Sequence, residues 1–542
     1  MKRGRRKMKG TVIFHHGHIR PATGASSVEA VVVRDGRIAA IGENDSILLE
    51  YGRPDVKKVD LEGGYIYPGL ADSHVHLSGV GQKRRWMDVS FCRSKEELLQ
   101  AIRTRAGSLK PRQWILGMGW DENQMQGEIP TLEELDEASG DHPLFLIRIC
   151  HHAGLVNRLA YQMAGIREGE KDPEQGKWGR DEKGRLNGRV YENATRFFYD
   201  VQPKPDYTEK KETIRLAMQE ALACGLTAVH TEDLRYVESL SELIRIYREL
   251  REEGVWLRTH QLIYHPYLEE LKESSWNAGD GDEWFRIGAM KIFADGSLGG
   301  KTALLSRPYR DEPDHYGLLI HEPGELIRLT QTAAEQRMPV AAHAIGDQAA
   351  EYVLKAMQSC PVVPGKTGHT LRHRLIHGQF LRPDLISKLK TMPVAVDIQP
   401  RFVASDFPWV LDRVEEDLMA CAYAWKTLLQ SGVHLAGGSD APIEPLHPVW
   451  GLHAAVTRRS PEEDHPGYFP RQKLSLTEAL ALFSKGSAYA AGEEKERGRL
   501  QVGYYADMTV YDRDLFATDP GEWGKTKTRM TIVNGQVAYR QT

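Results

Sequence analysis

The sequence predicts an α/β protein built on a (β/α)8 TIM barrel, with a small composite β-sandwich domain formed by both termini and an inserted α/β segment. Three observations support this. Apolar runs of strand length alternate with amphipathic stretches of helix length through the body of the chain, which is the pattern of repeated βα units. Short β-type segments occur at both ends, and the residues from about 80 to 210 interrupt the regular spacing.

Eight segments make up the predicted barrel. They are residues 65–77, 227–230, 257–264, 287–294, 339–344, 373–378, 394–399 and 433–437. Most are separated by connections long enough for a helix. Because active sites of such barrels lie at the C-terminal ends of the strands, the prediction requires chemically active side chains at those positions.

The two ends of the chain are predicted to form β structure. Asp35-Gly36 separates two strand-like runs near the start, and Asn534-Gly535 separates two more near the end; both dipeptides are strong hairpin signals. We expect residues 1–69 and 492–542 to form one small β domain and residues 70–491 to form the barrel. Two separate sheets would give the same pattern.

The insertion at about residues 80–210 has its own predicted elements. They are a helix over 94–109, a strand over 114–118, an acidic helix over 131–138 and a strand over 144–149, followed by a polar, glycine-rich stretch over 167–188. Such a segment could cover an active site.

Composition argues against several classes of protein. Among 542 residues, 71 Lys and Arg against 75 Asp and Glu give a net charge of −4, which favours neither nucleic acid nor a membrane surface as partner. No stretch approaches the ~20 apolar residues of a membrane span. The basic start lacks the apolar run of a signal peptide. Five scattered cysteines without a C-x-x-C pair argue against a disulfide framework and suit a reducing compartment. We therefore expect a cytoplasmic protein with a small-molecule substrate, as a monomer or homo-oligomer.

The motif PGLADSHVHL, residues 68–77, is the central feature of the chain. Alternate side chains of an extended segment share a face, so Asp72, His74 and His76 point the same way. Two imidazoles so placed can bind one metal ion from one side, and the remaining ligands must come from elsewhere in the fold.

Further candidate ligands lie where the barrel requires them. His343 and His377 end the fifth and sixth predicted strands, Asp440 follows the eighth, and Lys291 lies inside the fourth. A lysine in an apolar strand must lose its charge or find a partner. It could form a buried ion pair with Asp295 or Asp440, or its neutral amine could take up carbon dioxide and become a carbamate that bridges two metal ions.

These motifs resemble the amidohydrolase superfamily and, within it, the YtcJ-like group (amidohydrolase family 3), which includes N-substituted formamide deformylase. The resemblance runs over nearly the whole chain. The matching stretches are PGLADSHVHL, GMGWDENQ, MKIFADGSLGGKTA, AAHAIGD, RHRLIHGQ, GGSDAPIEPLHP and the C-terminal GYYAD. The resemblance implies a barrel with a composite β-sandwich domain.

The resemblance also implies a cofactor and a reaction. His74, His76, Lys291 and Asp440 would surround one divalent ion, and carbamylated Lys291, His343 and His377 a second. Zinc suits these ligands, with iron, manganese or nickel as alternatives. The implied reaction is hydrolysis of a C–N bond, most simply an amide and conceivably an N-substituted formamide, with Asp440 transferring the proton.

Seven further residues are candidates for binding substrate, each with a purely structural role as the alternative. They are Trp120, Asp121, Gln124, His152, Glu192, Arg374 and Gln399. The chain departs from the family pattern at two positions, which the resemblance places next to the site and not among its metal ligands. It has Cys150-His151-His152 where the family tends to have Asp-Gly-His, and Ile376 where the family tends to have glutamate. Both departures bear on substrate preference more than on chemistry.

Two rival functions remain open from the sequence. The same scaffold could deaminate a cyclic imine or hydrolyse an ester or lactone. Deaminases of the superfamily usually use one metal ion, so the number of bound metal ions distinguishes a deaminase from the two-metal hydrolase. A barrel kept only for binding or assembly is the other rival. Retention of all six ligand positions argues against it.

Overall fold

The structure is a computed structural model that describes residues 10–19, 28–122, 125, 128–148, 153–173, 176–361 and 370–541. The chain forms two compact units. One comprises Met1–Ser78 and Ala217–Thr542, and the other is Gly79–Leu216. The first unit contains the barrel, the terminal β-sheets and every predicted metal ligand.

Eight parallel strands form the barrel sheet, in chain order. They are β1 (Leu70–Val75), β2 (Leu226–Thr231), β3 (Arg258–Tyr264), β4 (Phe285–Phe293), β5 (Val340–Ala344), β6 (His373–His377), β7 (Val394–Ile398) and β8 (His434–Gly437). The predicted fold class is confirmed. Strands β2 to β8 match the predicted segments to within two residues at each end.

The first predicted strand, residues 65–77, is two strands in the structure. Tyr65–Pro68 belongs to a terminal sheet, where it pairs with Met508–Tyr511, and only β1 enters the barrel. The division falls at Gly69, whose amide donates to the carbonyl of Asp507. A Cβ atom at Gly69 would lie 2.6 Å from Oγ1 of Thr227, so the chain passes between the two sheets where only glycine fits.

The loop after β8 closes the barrel against β1. The amide of Asp440 donates to the carbonyl of His74, and the amide of His76 donates to the carbonyl of Ala441, both over 2.8 Å. A Cβ atom at Gly438 would lie 2.6 Å from the amide nitrogen of His74, so this approach requires glycine. Closure therefore places Asp440 directly against the two histidines of the first strand.

The terminal segments form two sheets with a shared core. One sheet has the order Arg37–Gly42, Ala30–Arg34, Thr11–His15, Lys57–Asp60; the other has the order His18–Ile19, Tyr65–Pro68, Met508–Tyr511, Thr528–Val533, Gln536–Arg540. Phe14 and Val31 of the first sheet pack in one apolar cluster with Ile66, Val510 and Ile532 of the second. Burial of this surface holds N-terminal and C-terminal segments together as a composite sandwich.

The unit Gly79–Leu216 contains a six-stranded sheet with helices. Its strand order is Gly176–Arg180, Leu186–Glu192, Ala153–Val156, Leu144–Arg148, Ile115–Trp120, Met87–Asp88. The predicted helices are Lys95–Ser108 and Leu132–Ser139, which begin after the capping residues Ser94 and Thr131. In both caps the side-chain oxygen accepts a hydrogen bond from a backbone N–H of the first helical turn, which favours helix initiation at that residue.

Helices connect the barrel strands as the sequence pattern predicts. The described helices of the barrel connections include Tyr207–Ala223, Leu234–Val237, Leu240–Glu252, Leu268–Glu273, Pro323–Glu335, Asp347–Ser359, Pro383–Leu389, Phe402–Asp406, Val410–Arg413, Glu416–Met419, Trp425–Gln430, and, after the last barrel strand, Pro448–Thr457, Leu476–Ala481 and Ser487–Ala490. The other α-helices of the described residues are Asn44–Tyr51, Leu77–Arg85, Arg158–Met163 and Arg196–Asp200. Within the described part of the chain, no helix combines the length and apolarity needed to cross a membrane.

Candidate metal centre

All six predicted ligands lie toward the C-terminal end of the barrel sheet. His74 is in β1 and His76 follows it; Lys291 is near the end of β4; His343 is near the end of β5; His377 ends β6; and Asp440 follows β8. The strands meet in register there, because parallel strands end at the same edge of the sheet. Six residues from five different strands or strand ends are thereby gathered in one part of the fold.

Three of the six form the tightest group. Possible ligand atoms of His74, His377 and Asp440 all lie within 4.8 Å of one another, and the three side chains are buried. The Nε2 atoms of His74 and His76 each lie 3.2 Å from Oδ1 of Asp440. Neither contact has the geometry of a hydrogen bond, so this buried oxygen has no hydrogen-bond partner among the described residues. An ionised carboxylate oxygen beside two imidazoles fits a divalent cation such as zinc.

The charge states of these groups also fit a cation. Burial raises the pKa of Asp440, but contacts with His74 and His76 outweigh it and hold that pKa well below its usual value. Burial lowers the pKa of His74 and of His377 well below the usual value for imidazole. The group is therefore one carboxylate with neutral imidazoles, which is the protonation state that binds metals.

Lys291 is fully buried beside this group. Its Nζ lies 3.5 Å from Nε2 of His74 and 4.7 Å from the ring centroid of Phe293. No carboxylate of the described residues lies within ion-pair distance, so the buried ion pair with Asp295 or Asp440 is not formed. Burial lowers the pKa of Lys291 to about 7, with Asp440 opposing that shift. A substantial neutral fraction is therefore present near neutral pH.

His343 packs against one member of this group, His377. Its ring lies 4.4 Å from that of His377, centroid to centroid. Its Nε2 contacts the carbonyl oxygen of Gly296 at 3.0 Å and Oδ1 of Asp295 at 3.3 Å. The structure therefore places His343 beside the centre, with Nε2 already in contact with two oxygen atoms.

Buried polar residues orient the predicted ligands. Nδ1 of His377 donates to Oε1 of Gln399 over 2.7 Å, which leaves Nε2 of that ring available to a metal. The carboxylate of Asp72 accepts the amides of His74 and Ser439 at 3.0 and 3.1 Å. It thus ties β1 to the loop that carries Asp440.

Two predicted ligands have unusual backbone conformations. His377 has φ of +74° and Asp440 has φ of +59°, in the left-handed region that residues other than glycine seldom adopt. Such strain persists where the surrounding structure enforces it, and it is concentrated at functional sites.

The predicted substrate-binding residues are dispersed. Arg374 is buried inside the barrel, where Nε lies 2.8 Å from Oδ2 of Asp397 and Nη2 donates to the carbonyl of Ser73. Gln399 contacts His377, as described above. Arg374 and Gln399 thus support the strands and ligands of the centre.

The remaining candidates lie in the unit Gly79–Leu216. The indole N–H of Trp120 donates to the carbonyl of Leu146, and the carboxylate of Asp121 pairs with Arg148 at 3.0 Å. Glu192 ends a strand, while its side chain, Gln124 and His152 lie outside the described residues, as does the departure at Cys150-His151-His152.

Three residues next to the centre are missing from the predicted site. Glu232 and Arg235 follow β2, and Phe293 ends β4. The segment HTEDLR, residues 230–235, contains the signal that could have identified the first two, since it places acidic and basic residues at the C-terminal end of a barrel strand.

Known proteins of similar sequence and structure indicate which class of protein has this site. Residues 57–539 match the amidohydrolase family (Amidohydro_3). The YtcJ protein of Bacillus subtilis (strain 168) is 40% identical over 517 residues, covering 95% of this chain and 96% of that protein. The N-substituted formamide deformylase of Arthrobacter pascens is 26% identical over 540 residues, covering 95% and 96%. A crystal structure of an uncharacterized metal-dependent hydrolase from Pyrococcus furiosus has a TM-score of 0.77 and 27% identity, covering 93% of this chain and 99% of that chain.

The fold and its structural neighbour define a metal-dependent hydrolase. The family match covers most of the chain, and the predicted resemblance is confirmed. The chain belongs to the amidohydrolase family. Membership implies a divalent metal cofactor and a small-molecule substrate.

Proposed function

We propose that the protein hydrolyses a C–N bond other than a peptide bond, namely that of an amide such as an N-substituted formamide. One observation supports this above all. Oδ1 of Asp440 lies 3.2 Å from Nε2 of both His74 and His76 and has no hydrogen-bond partner among the described residues. The relative named N-substituted formamide deformylase supports the same chemistry.

The metal ligands are proposed as the sequence predicts them. One divalent ion would be held by His74, His76, Asp440 and carbamylated Lys291, and a second by the carbamate with His343 and His377. Such ions lower the pKa of water toward neutrality and polarise a carbonyl group. Imidazole and carboxylate ligands favour zinc, with iron, manganese and nickel as alternatives.

Lys291 supplies the bridging ligand in this proposal. Its neutral amine attacks carbon dioxide, an N–C bond forms, and one proton is released to solvent as the carbamate anion forms. Burial lowers the pKa of Lys291 to about 7, which maintains the neutral amine that this step needs.

Asp440 carries the proton in the hydrolysis. Its low pKa keeps the carboxylate ionised, so it can accept a proton from water as the oxygen attacks the carbonyl carbon. The same proton passes to the leaving nitrogen as the C–N bond breaks. The products are a carboxylic acid, or formic acid from a formamide, and an amine.

The supporting residues hold this geometry. Gln399 fixes the ring of His377, and Asp72 ties the Asp440 loop to β1. Both contacts are buried, so His377 and Asp440 are held in place before the substrate binds. Less reorganisation is then needed in the transition state.

A substrate screen tests the proposal. Zinc-loaded protein is assayed with N-acyl and N-formyl amines, beside matched esters, lactones and cyclic imines, and Asp440→Asn serves as background. Release of amine by the parent protein alone supports the proposal. Hydrolysis confined to esters, or ammonia released from a cyclic imine by protein with one metal ion, would contradict it. An inert protein with a full metal complement would also contradict it.

Location and assembly are part of the proposal. The described cysteines Cys92, Cys360 and Cys421 are free thiols, which is typical of a reducing compartment. We propose a cytoplasmic enzyme, and sedimentation of the purified protein would distinguish a monomer from a homo-oligomer.

A further inference from the structure

A half-exposed arginine lies beside the candidate metal centre. Arg235 follows β2, and Cζ of its guanidinium lies over the ring of Phe293, 4.7 Å from the centroid. The Nζ of Lys291 lies 4.7 Å from the same centroid, and the ring of His343 packs against it with 5.4 Å between centroids. One aromatic ring therefore contacts two predicted metal ligands and this arginine.

The guanidinium group is fixed in place from two directions. Oε2 of Glu232 lies 2.7 Å from Nε of Arg235, and Oε1 of Glu232 accepts the Arg235 amide over 3.1 Å. The Glu232 side chain is completely buried. The ring of Tyr264 lies 5.6 Å from Cζ of Arg235, and cation–π contact with Tyr264 and Phe293 adds to the ion pair. The arginine is thus held before any ligand binds.

One edge of this guanidinium remains free. Glu232 contacts Nε only, and neither Nη1 nor Nη2 of Arg235 makes a hydrogen bond within the described residues. The side chain of Arg235 is 46% exposed. The Nη1–Nη2 edge of arginine matches the two oxygens of a carboxylate and binds it through parallel hydrogen bonds.

Arg235 is suited to bind an anionic group by direct hydrogen bonds and not to attract it from a distance. Glu232 neutralises the charge of Arg235, so the pair carries no net charge to steer anions from a distance. Two directed hydrogen bonds from a fixed donor edge remain, and these select a group of the right shape at the right place. Arg235 and Lys291 both contact the ring of Phe293, so the free donor edge lies at the same end of the barrel as the candidate metal centre.

We propose that Arg235 binds a carboxylate of the substrate, so that the substrates are N-acylated or N-formylated amino acids and not neutral amides. This inference rests on the proposed function, since it names the substrate class for the same centre. Glu232, Tyr264 and Phe293 position the guanidinium, and Arg235 alone makes the contact.

Matched substrates test the inference with zinc-loaded enzyme. The N-acetyl and N-formyl derivatives of glycine and of both leucine enantiomers are compared with their carboxamides, which differ only in the carboxylate. We expect kcat/KM of the parent enzyme to favour the acids by roughly 10- to 100-fold. In Arg235→Gln this preference should disappear through loss of activity on the acids, with the carboxamides little changed.

Two further variants separate recognition from folding. Arg235→Lys keeps the charge without the paired donors, so the preference for acids should be only partly retained. Arg245→Gln, on the neighbouring helix, removes an exposed arginine that pairs with Glu249, and it should behave like the parent enzyme. Equal thermal midpoints for all variants would show that the fold is retained.

A binding measurement makes the inference independent of turnover. 4-Oxopentanoate has the skeleton of N-acetylglycine with carbon in place of the amide nitrogen, so it cannot be hydrolysed. Calorimetry should show that zinc-loaded parent protein binds it more tightly than 4-oxopentanamide, and that Arg235→Gln binds both equally weakly.

The outcomes distinguish this inference from the proposed function. Hydrolysis of amides with no preference for acids, unchanged in Arg235→Gln, would overturn the carboxylate site and leave the proposed function intact. Binding of 4-oxopentanoate that depends on Arg235, without hydrolysis of any amide, would overturn the proposed function and support the site. Failure of the parent protein both to bind 4-oxopentanoate and to hydrolyse the acids would overturn the inference.

Discussion

Nδ1 of His377 lies 2.7 Å from Oε1 of Gln399, and both side chains are buried. The two residues belong to consecutive barrel segments, since His377 ends β6 and Gln399 follows β7. This hydrogen bond fixes the tautomer and the orientation of a predicted metal ligand, because it commits Nδ1 as donor and leaves Nε2 free.

Gln399→Ala should therefore weaken metal binding without unfolding the barrel. Loss of a residue that orients a ligand typically lowers metal affinity or activity by roughly 10- to 100-fold. Competition against a chromophoric chelator measures the affinity. Gln399→Glu keeps an acceptor oxygen and should stay closer to the parent. Parent-like affinity in Gln399→Ala would show that this contact does not orient a ligand.

Asp440→Asn should abolish most of the hydrolysis, because the amide cannot accept the proton of the attacking water. The expected fall in kcat is about 10²- to 10⁴-fold. Metal content of the same samples, measured by inductively coupled plasma mass spectrometry, must accompany the assay. A near-parent rate with metal still bound would show that Asp440 is not the proton carrier.

Lys291→Ala should lower metal content and activity, because it removes the carbamate that Lys291 would contribute to the proposed centre. A short carboxylic acid such as propionate should restore part of both, since its carboxylate can occupy the space of the carbamate. Lys355→Ala, which removes an exposed lysine paired with Glu351, is the matched control. Full metal content in Lys291→Ala without added acid would contradict a carbamate.

Glu493 should give the fold a marked acid sensitivity. Its side chain is 11% exposed and lies between the buried residues Arg286, at 3.3 Å, and Arg497. Burial raises the pKa of Glu493, but the two arginines outweigh it and lower that pKa to about 2. Since the folded pKa lies below the unfolded value near 4.5, the stabilisation is fully present above pH 4.5 and is lost as pH falls toward 2. Its size is roughly 3 kcal/mol.

Urea denaturation of parent and Glu493→Gln at several pH values measures this effect. The variant should be less stable at pH 7, because two buried arginines lose their partner. The difference between the two proteins should shrink as pH falls below 4.5. A difference that stays constant down to pH 2 would show that Glu493 titrates normally in the folded protein.

Much of the barrel could be predicted because its signals are local. Apolar runs such as Val340–Ala344 and Val394–Ile398 lie between helix-length stretches, and each needs only its own residues to be identified as a strand. The join at Gly69 could not be predicted this way. Residues 65–77 have one continuous β pattern, and the division depends on contacts with Asp507 and Thr227, far along the chain.

The sequence by itself determined the fold class, the positions of the strands and the polar residues at strand ends. These features depend on side-chain periodicity and residue type, which can be identified within short stretches of sequence. Only the tertiary structure decided which of those residues meet. Hydrogen bonds between the loop after β8 and the end of β1 set Asp440 beside His74 and His76, and the ring of Phe293 contacts both Arg235 and Lys291. Such contacts join residues from separate strands, and they depend on the register and closure of the whole sheet, which no local pattern specifies.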